Sequence, residues 1–328
     1  MDPVAALLEI ATLLERERAS RYRAKAFRQA AATLQGLTEE VRNDPARLRA
    51  SKGIGESTFA VIRQAQAGEV PDYLVELRGE VEPERISALR SSLRGDLHAH
   101  TDWSDGTTSI AVMAEAARAL GHEYQAITDH SPRLRVARGL SAERLREQIP
   151  LVRAQSGEGF RVLAGIEVDI LEDGMLDQED TLLGELDIVV ASVHSKLRMD
   201  AKAMTARMIA AVSHPRVNVL GHCTGRLVQG ERGTRPQSQF DATAVFAACA
   251  ENGVAVEINS RPERQDPPDD LIALAMNAGC LFSIDSDAHA PGQLSLLDHG
   301  AERAERAGIP AARIVTTWGL ERLLAWAE

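Results

Sequence analysis

Leu93-Arg-Gly-Asp-Leu-His-Ala-His100 decides the fold of the larger part of this chain. It is a short apolar run that ends in two histidines spaced two apart, and residues two apart on a strand present their side chains to the same side. The pattern then recurs. Tyr124–Thr128 runs into Asp129-His130, Arg161–Ile166 into Glu167, Leu186–Val193 into His194, and Val217–Leu220 into Gly221-His222. Val254–Ile258 carries Glu257-Ile-Asn259, and Cys280–Ile284 leads to Asp285-Ser-Asp287-Ala-His289, where Asp287 and His289 repeat the spacing of two. Between these runs lie amphipathic stretches of helical period: Ser109–Leu120, Ala142–Ala154, Met204–Val212, Ala242–Asn252 and Asp269–Ala278. Short apolar runs alternating with such helices are the sign of parallel βα units. The expected fold is therefore α/β, a β/α barrel of seven strands.

In a parallel barrel the strand ends converge on one face. One buried histidine is ordinarily a core residue with a satisfied hydrogen bond. Histidines and carboxylates at strand end after strand end are not explained that way. His98, His100, Asp105, His130, Glu167, His194, His222, Asp287 and His289 are nine candidate ligands, more than one tetrahedral or octahedral ion needs. They suit two or three divalent ions, and imidazole mixed with carboxylate favours Zn²⁺, Mn²⁺ or Fe over Mg²⁺ or Ca²⁺. Glu167 is the best candidate for a bridging carboxylate. His122, His214 and His299 fall outside strand ends and are read as structural.

Composition adds limits. The net charge of −11 is uneven: residues 1–80 hold 12 basic and 12 acidic side chains, so the whole surplus lies beyond them. A carboxylate-rich barrel does not read as a DNA-coating surface. Aromatic residues make up 4% of the chain, which argues against a stacking platform for single strands. Cys223, Cys249 and Cys280 show no paired spacing and read as reduced, buried thiols. The N-terminus, with Asp2 and Glu9, does not resemble a signal peptide, and no stretch approaches a membrane span. A cytoplasmic protein is expected.

The first eighty residues read as all-α. Apolar positions follow helical spacing through 3–36, with shorter helical pieces near 38–50 and 56–67. Between the last two lies Ser51-Lys-Gly-Ile-Gly-Glu-Ser57. Gly53 and Gly55 permit a tight turn whose N–H groups lead into a helix N-terminus, a geometry that suits phosphate. A plain helix–turn–helix connection shares the pattern. Residues 79–93 read as a polar linker, so the expected domains are 1–78, the linker 79–93, and 94–328.

Long motifs then point to a family. Asp96-Leu-His-Ala-His100, Ser104-Asp-Gly106, Ile127-Thr-Asp-His130, Gly165-Ile-Glu167, Ser192-Val-His194, Gly221-His222 and Ser286-Asp-Ala-His289 resemble the PHP (polymerase and histidinol phosphatase) superfamily. Thr128–Leu140, Ala164–Leu171 and Thr224–Leu227 resemble most closely the C-terminal PHP domain of bacterial family-X DNA polymerases. The first segment is similar to those polymerases' N-terminal helix-hairpin-helix domain, with Lys52 where proline often stands. No lyase lysine can be assigned there.

The resemblance implies a distorted (β/α)7 barrel with a trinuclear site. It puts His98, His100, Glu167 and Asp287 on one ion, Glu167, His194 and His222 on a second, and Asp105, His130 and His289 on the third. Glu167, His194 and Asp287 are the residues assigned to catalysis. Arg135, Arg138, Arg198 and Arg226 match arginines near the family's metal face and are candidate phosphate clamps, with surface ion pairs as the ordinary alternative. Lys25, Lys52, Gly53 and Gly55 are the candidate DNA contacts of the first domain. Cys223 stands where those polymerases usually have proline. The polymerase palm is missing between the two domains, so DNA synthesis is not expected.

The expected activity is hydrolysis of phosphodiester bonds in DNA, as a 3′–5′ exonuclease or an end-processing phosphoesterase, through a metal-bridging hydroxide. The alternatives are a small-molecule phosphatase of the histidinol-phosphate type, or a DNA-binding module with a vestigial barrel. The full ligand set argues against the last, and the hairpin domain favours DNA over a metabolite.

Overall fold

The computed structural model describes residues 1–17, 21–80, 87–229 and 233–328. The chain forms two compact units, Met1–Arg85 with Pro291–Gln293, and Ile86–Ala290 with Leu294–Glu328.

The first unit is all-α. The expected stretch 3–36 forms two helices, α1 (Pro3–Arg16) and α2 (Arg21–Gly36). Asp2 caps α1 by accepting from Ala5 N at 2.7 Å, and Pro3 fits the first turn. Short α3 (Glu39–Asn43) and α4 (Pro45–Arg49) lead to α5 (Glu56–Gln66) and α6 (Asp72–Glu80). Leu7, Ile10, Leu34, Leu48, Ile62 and Leu74 are buried in one aliphatic core. The turn before α5 needs its glycine. Gly53 has φ +96°, and a Cβ there would lie 2.7 Å from Thr33 Oγ1.

The second unit begins with α7 (Ala88–Ser92), inside the expected linker. Leu89 and Leu93 are buried in the barrel core, so this part of 79–93 belongs to the barrel. Residues 81–86 of that stretch lie outside the described residues. Seven parallel strands follow in the order β1 to β7: β1 (Gly95–Asp96), β2 (Tyr124–Ile127), β3 (Arg161–Asp169), β4 (Ile188–Ser192), β5 (Val219–Leu220), β6 (Ala255–Asn259) and β7 (Leu281–Asp285). Every expected run yields a strand, but β1 and β5 are two residues long. The helices between them are α8 (Ile110–Ala119), α9 (Ala142–Arg153), α10 (Asp180–Leu183), α11 (Ala201–Val212), α12 (Ala242–Asn252) and α13 (Asp269–Asn277), with α14 (Leu297–Arg306) and α15 (Leu320–Ala327) after β7.

The barrel is nearly closed. Between β1 and β7 there is one bridge, Ala99 with Ala288, where His100 N donates to Ala288 O at 2.7 Å. Side chains complete the seam: Asp285 Oδ1 accepts from Leu97 N at 2.9 Å, and Asp96 Oδ1 from Ser286 N at 3.2 Å.

The period of two along each strand explains the site's position. Val162, Ala164, Ile166 and Val168 pack outward against the helices. The opposite row of β3 starts with Leu163, which joins Tyr124, Ile188, Val190 and Val219 in the lower interior, closed from below by Val315, Trp318 and Leu323. Continuing up that row, β3 offers Glu167 and Asp169, β4 leads to His194, β6 offers Glu257 and Asn259, and β7 offers Asp285 and then Asp287. The inward rows change from apolar to ligating between the N-terminal and C-terminal ends of the strands.

Candidate metal centre

Glu167 lies at the middle of the cluster, and its two oxygens meet different imidazoles. Oε1 is 2.8 Å from His222 Nε2 and 3.2 Å from His194 Nε2. Oε2 is 2.8 Å from His130 Nδ1, 3.4 Å from His98 Nε2 and 3.6 Å from His100 Nε2. Asp105 Oδ1 stands 3.4 Å from both His130 Nε2 and His289 Nε2, and Asp287 Oδ1 is 3.6 Å from His100 Nε2. All nine sequence-predicted ligands thus come together, in overlapping groups of three and four whose ligand atoms lie within 4.8 Å of one another. His122 and His214 lie elsewhere, against Gln125 and Asp180.

The residues fit divalent cations. His98 Nε2, both nitrogens of His100, His130 Nδ1 and His194 Nε2 are buried without a hydrogen-bond partner. Such atoms cost free energy unless something accepts their lone pairs. Ligands held at about 2.1 Å around a tetrahedral ion are about 3.4 Å apart, which is the spacing seen across the cluster. His98, His100, His222, Glu167 and Asp287 are buried, while Asp105, His194 and His289 are 26%, 13% and 20% exposed. The centre therefore opens to solvent on that edge.

Charge is finely opposed here. Burial would raise the Glu167 carboxyl, but the imidazoles of His194, His98 and His130 outweigh it and hold it well below the usual range. Burial disfavours a proton on His130, yet Glu167 and Asp105 push it up to about 10. His98 is also pushed well above its ordinary value, against burial, by Glu167 and Glu257. His100 is held well below, by burial and by the neighbouring His289 and His130. Asp287 escapes the upward push of burial because Arg264 and Arg261 face it.

A layer of residues outside the nine candidate ligands, including Glu257, Asn259 and Asp129 at strand ends, fixes them. Glu257 accepts from His222 N at 2.5 Å through Oε2, and its Oε1 is 2.6 Å from His98 Nδ1. Asp169, two residues beyond Glu167 in the same row, contacts His194 Nδ1. Carboxylates on the far nitrogen of a ligating imidazole set its tautomer and orientation. Asn259 Nδ2 donates to Asp287 Oδ2 at 3.1 Å, and Arg264 Nε does so at 3.0 Å. Arg261 Nη1 lies 3.1 Å from His289 Nδ1. Asp129 accepts from Thr101 N at 2.8 Å and Ser104 Oγ at 2.5 Å, which anchors the turn that carries Asp105.

The four arginines proposed as clamps separate into two kinds. Arg138 is tied to the Asp105 turn, donating through Nε to Ser104 O at 2.9 Å and through Nη2 to Asp102 O at 2.5 Å. Arg226 donates through Nε to Arg264 O at 3.1 Å and Gln265 O at 3.0 Å. Those guanidiniums shape loops. Arg135 and Arg198 are exposed on the turns after β2 and β4. In the helical unit Lys25, Lys52, Gly53 and Gly55 are all exposed, but the Gly55 N–H already donates to Thr58 Oγ1 at 2.9 Å.

A barrel with histidines and carboxylates converging at its strand ends has the make-up of a metal-dependent hydrolase. Residues 96–261 match the PHP domain and residues 1–69 match a helix-hairpin-helix domain. The chain belongs to the PHP family of phosphoric ester hydrolases. Over 223 residues, 67% of its length, it is 39% identical to a Bacillus subtilis (strain 168) protein named DNA polymerase/3′-5′ exonuclease PolX, and it spans 37% of that protein. Over 233 residues, 68% of its length, it is 30% identical to a protein of Vibrio parahaemolyticus named a "Probable phosphatase", of which 88% is covered. Among solved structures it is similar to the histidinol phosphate phosphatase of Lactococcus lactis complexed with zinc, L-histidinol and phosphate. That likeness has 18% identity and a TM-score of 0.48, covering 66% of this chain and 94% of the other. Among the described residues no helix is long and apolar enough to cross a membrane.

Proposed function

We propose that this chain hydrolyses phosphodiester bonds of DNA, as a 3′–5′ exonuclease or an end-processing phosphoesterase. The observation that carries this reading is the union in one chain of the convergent ligand cluster with a helix-hairpin-helix unit. A hydrolase that acts only on a small metabolite gains nothing from a second unit with a glycine turn and exposed lysines. The similarity to a protein named as a polymerase and exonuclease supports the same reading.

In this proposal two or three divalent ions, of Zn, Mn or Fe, would be held by His98, His100, Asp105, His130, Glu167, His194, His222, Asp287 and His289. They would supply Lewis acidity toward the phosphoryl oxygens and an activated water. Glu167, whose two oxygens face different histidines, would help hold more than one of the ions. His194, partly exposed and backed by Asp169, stands at the edge where substrate enters. Asp287 is held in a left-handed conformation, φ +51°, that directs its carboxylate to His100. Arg135 and Arg198 contact phosphates from the rim, and Lys25, Lys52 and the Gly53 turn hold the DNA backbone at a distance.

The relatives named as phosphatases, matched over nearly their full length, favour a second reading, hydrolysis of a small phosphate ester. One comparison decides. The full chain and a Lys25→Glu/Lys52→Glu variant are assayed on end-labelled DNA and on a chromogenic phosphoester. The proposal expects the variant to lose DNA cleavage mainly through KM, with the loss shrinking as salt rises, because backbone contacts are electrostatic. Cleavage of DNA by the variant as efficiently as by the parent at low salt would move the small-ester reading ahead.

A further inference from the structure

Beside the metal centre, the turns after β2, β3 and β4 enclose a cavity of about 260 Å³ lined by Arg133, Leu171, Glu172, Asp173 and Ser195. It adjoins the entry edge of the centre, since Ser195 follows His194, and Asp169, which contacts His194, opens the turn that carries Leu171–Asp173.

Its walls are preformed. Asp169 N donates to Ser131 Oγ at 2.9 Å, Asp177 N to Asp169 O at 3.0 Å, and Arg133 N to Asp177 Oδ2 at 2.5 Å. Beneath them Arg207 of α11, 2% exposed, joins the two sides, donating to Ile170 O at 3.1 Å and Ser195 O at 3.0 Å. It forms no ion pair with the described residues. Burying a guanidinium is costly, and the charges of Asp169, Glu172 and Asp173 offset part of that cost. Gly174, at φ +87°, lets the turn lie directly on α11, where a Cβ would come within 2.6 Å of Ala210 Cβ.

The lining selects the occupant. Glu172 and Asp173 face Arg133 here and Arg207 beneath, so the cavity has no positive excess to hold a phosphate, which the neighbouring cluster already suits. Carboxylates and the Ser195 hydroxyl accept hydrogen bonds from hydroxyl or amino groups. Leu171 supplies apolar surface, and Met175 and Val136 stand 62% and 91% exposed on the same turns. The volume falls just below the ~300–1,000 Å³ of ordinary ligand clefts, enough for one sugar and base but not for a base pair. We propose that this cavity is a nucleoside subsite, holding the base and sugar attached to the scissile phosphate, so that the enzyme acts on one unpaired terminal nucleotide at a time. The inference rests on the phosphodiesterase reading above.

The test uses the full chain, with its metals, on strands that differ only in whether the terminal nucleotide carries its base. Losing a hydrogen bond to a charged acceptor amounts to about tenfold or more, so the parent should favour the base-bearing end in kcat/KM by about that factor. In Glu172→Gln/Asp173→Asn, two nearly isosteric changes at exposed positions, the ratio should fall toward one, mainly through KM. Titration of deoxycytidine, followed by NMR, should perturb the resonances of residues 171–173 in the parent and not in the variant. Equal cleavage of both ends by the parent would overturn the subsite, as would an unchanged ratio in the variant. A preference for phosphoethanolamine over nucleotides, lost in the variant, would overturn it in favour of a cationic leaving group. Turnover of nucleoside monophosphates but not of DNA, with the variant losing the preference for the base, would sink the phosphodiesterase reading and leave the cavity's assignment standing.

Discussion

Replacing Glu257 by Gln should remove His98 from the metal centre without touching either residue's position in the fold. Glu257 has two tasks, accepting from His222 N through Oε2 and contacting His98 Nδ1 through Oε1. A carboxylate can do both with His98 protonated on Nδ1, which leaves Nε2, 3.4 Å from Glu167 Oε2, as a lone pair for an ion. A glutamine has one oxygen and one NH2. The oxygen must face the His222 N–H, because an amide NH2 there would set donor against donor. The NH2 then faces His98 Nδ1 and forces it to accept, so the ring's proton moves to Nε2 and that ligand is lost. Changes to groups that orient metal-bound histidines weaken affinity about 10–100-fold, or about 1.4–2.8 kcal/mol at 1.4 per factor of ten. Competition with a chromophoric chelator, alongside metal analysis after dialysis, reads the effect directly, and circular dichroism checks the fold. Affinity and stoichiometry within twofold of the parent would refute the tautomer argument.

Freshly purified protein should carry two or three transition-metal ions per chain; metal near zero, with no activity after Mn²⁺ or Zn²⁺ is restored, would remove the catalytic reading. Glu167→Gln should abolish hydrolysis with the fold intact, since an amide cannot space two cations, and parental turnover with metals still bound would exclude Glu167 from the site. Purified protein should incorporate no nucleotide on a primed template with any divalent ion, which a primer-extension gel checks. After chelation, the stabilising contributions of Glu167 and His130 should both be present between about pH 4.5 and 6.5. The depressed Glu167 carboxyl contributes above its unfolded value near 4.5 and loses that contribution as pH falls through its lowered pKa. The raised His130 contributes fully below its unfolded value near 6.5 and loses that as pH climbs through about 10. Because metals compete with those protons, the rise in Tm on adding metal should grow with pH, and a rise that shrank from pH 6 to 8 would contradict the assignment.

The strands were readable because each ends at a residue that a buried strand does not otherwise tolerate. Even so, β1 was expected to begin at Leu93, which instead follows α7 into the outer core. That helix is only Ala88–Ser92, too short for periodicity to reveal. The ligand set was readable for the same reason as the strands. Which carboxylate serves an ion and which serves an imidazole was not. Glu167 and Asp169 share one inward row two residues apart, and only the curvature of the barrel puts the first at the centre and the second behind His194. Arginine is the least readable residue. Arg138 and Arg226 reach backbone carbonyls, whereas Arg261 and Arg264 approach Asp287 and His289 from the loop after β6, and no spacing in the sequence encodes such directions.

The acidic balance of the chain looks unfavourable for the proposed DNA substrate, but much of it lies in the interior. Among the described residues beyond position 80, eight carboxylates are buried: Asp96, Asp129, Glu167, Asp169, Glu257, Asp266, Asp285 and Asp287. Two arginines, Arg207 and Arg303, are buried with them. Six of the chain's eleven surplus negative charges therefore lie in the interior. Several are matched at once by imidazoles, by arginines or by hydroxyl and amide donors. Bound divalent ions would add at least four positive charges to the same small volume and invert its local sign. In the proposed function a phosphate would meet the centre along the edge of Asp105, His194 and His289, with Arg135 and Arg198 exposed on the turns after β2 and β4. At physiological salt, where charges beyond about 8 Å are largely screened, that edge governs the encounter more than the net charge of the chain does. The carboxylates that make this protein acidic are thus the ones that would make its active face attractive to phosphate.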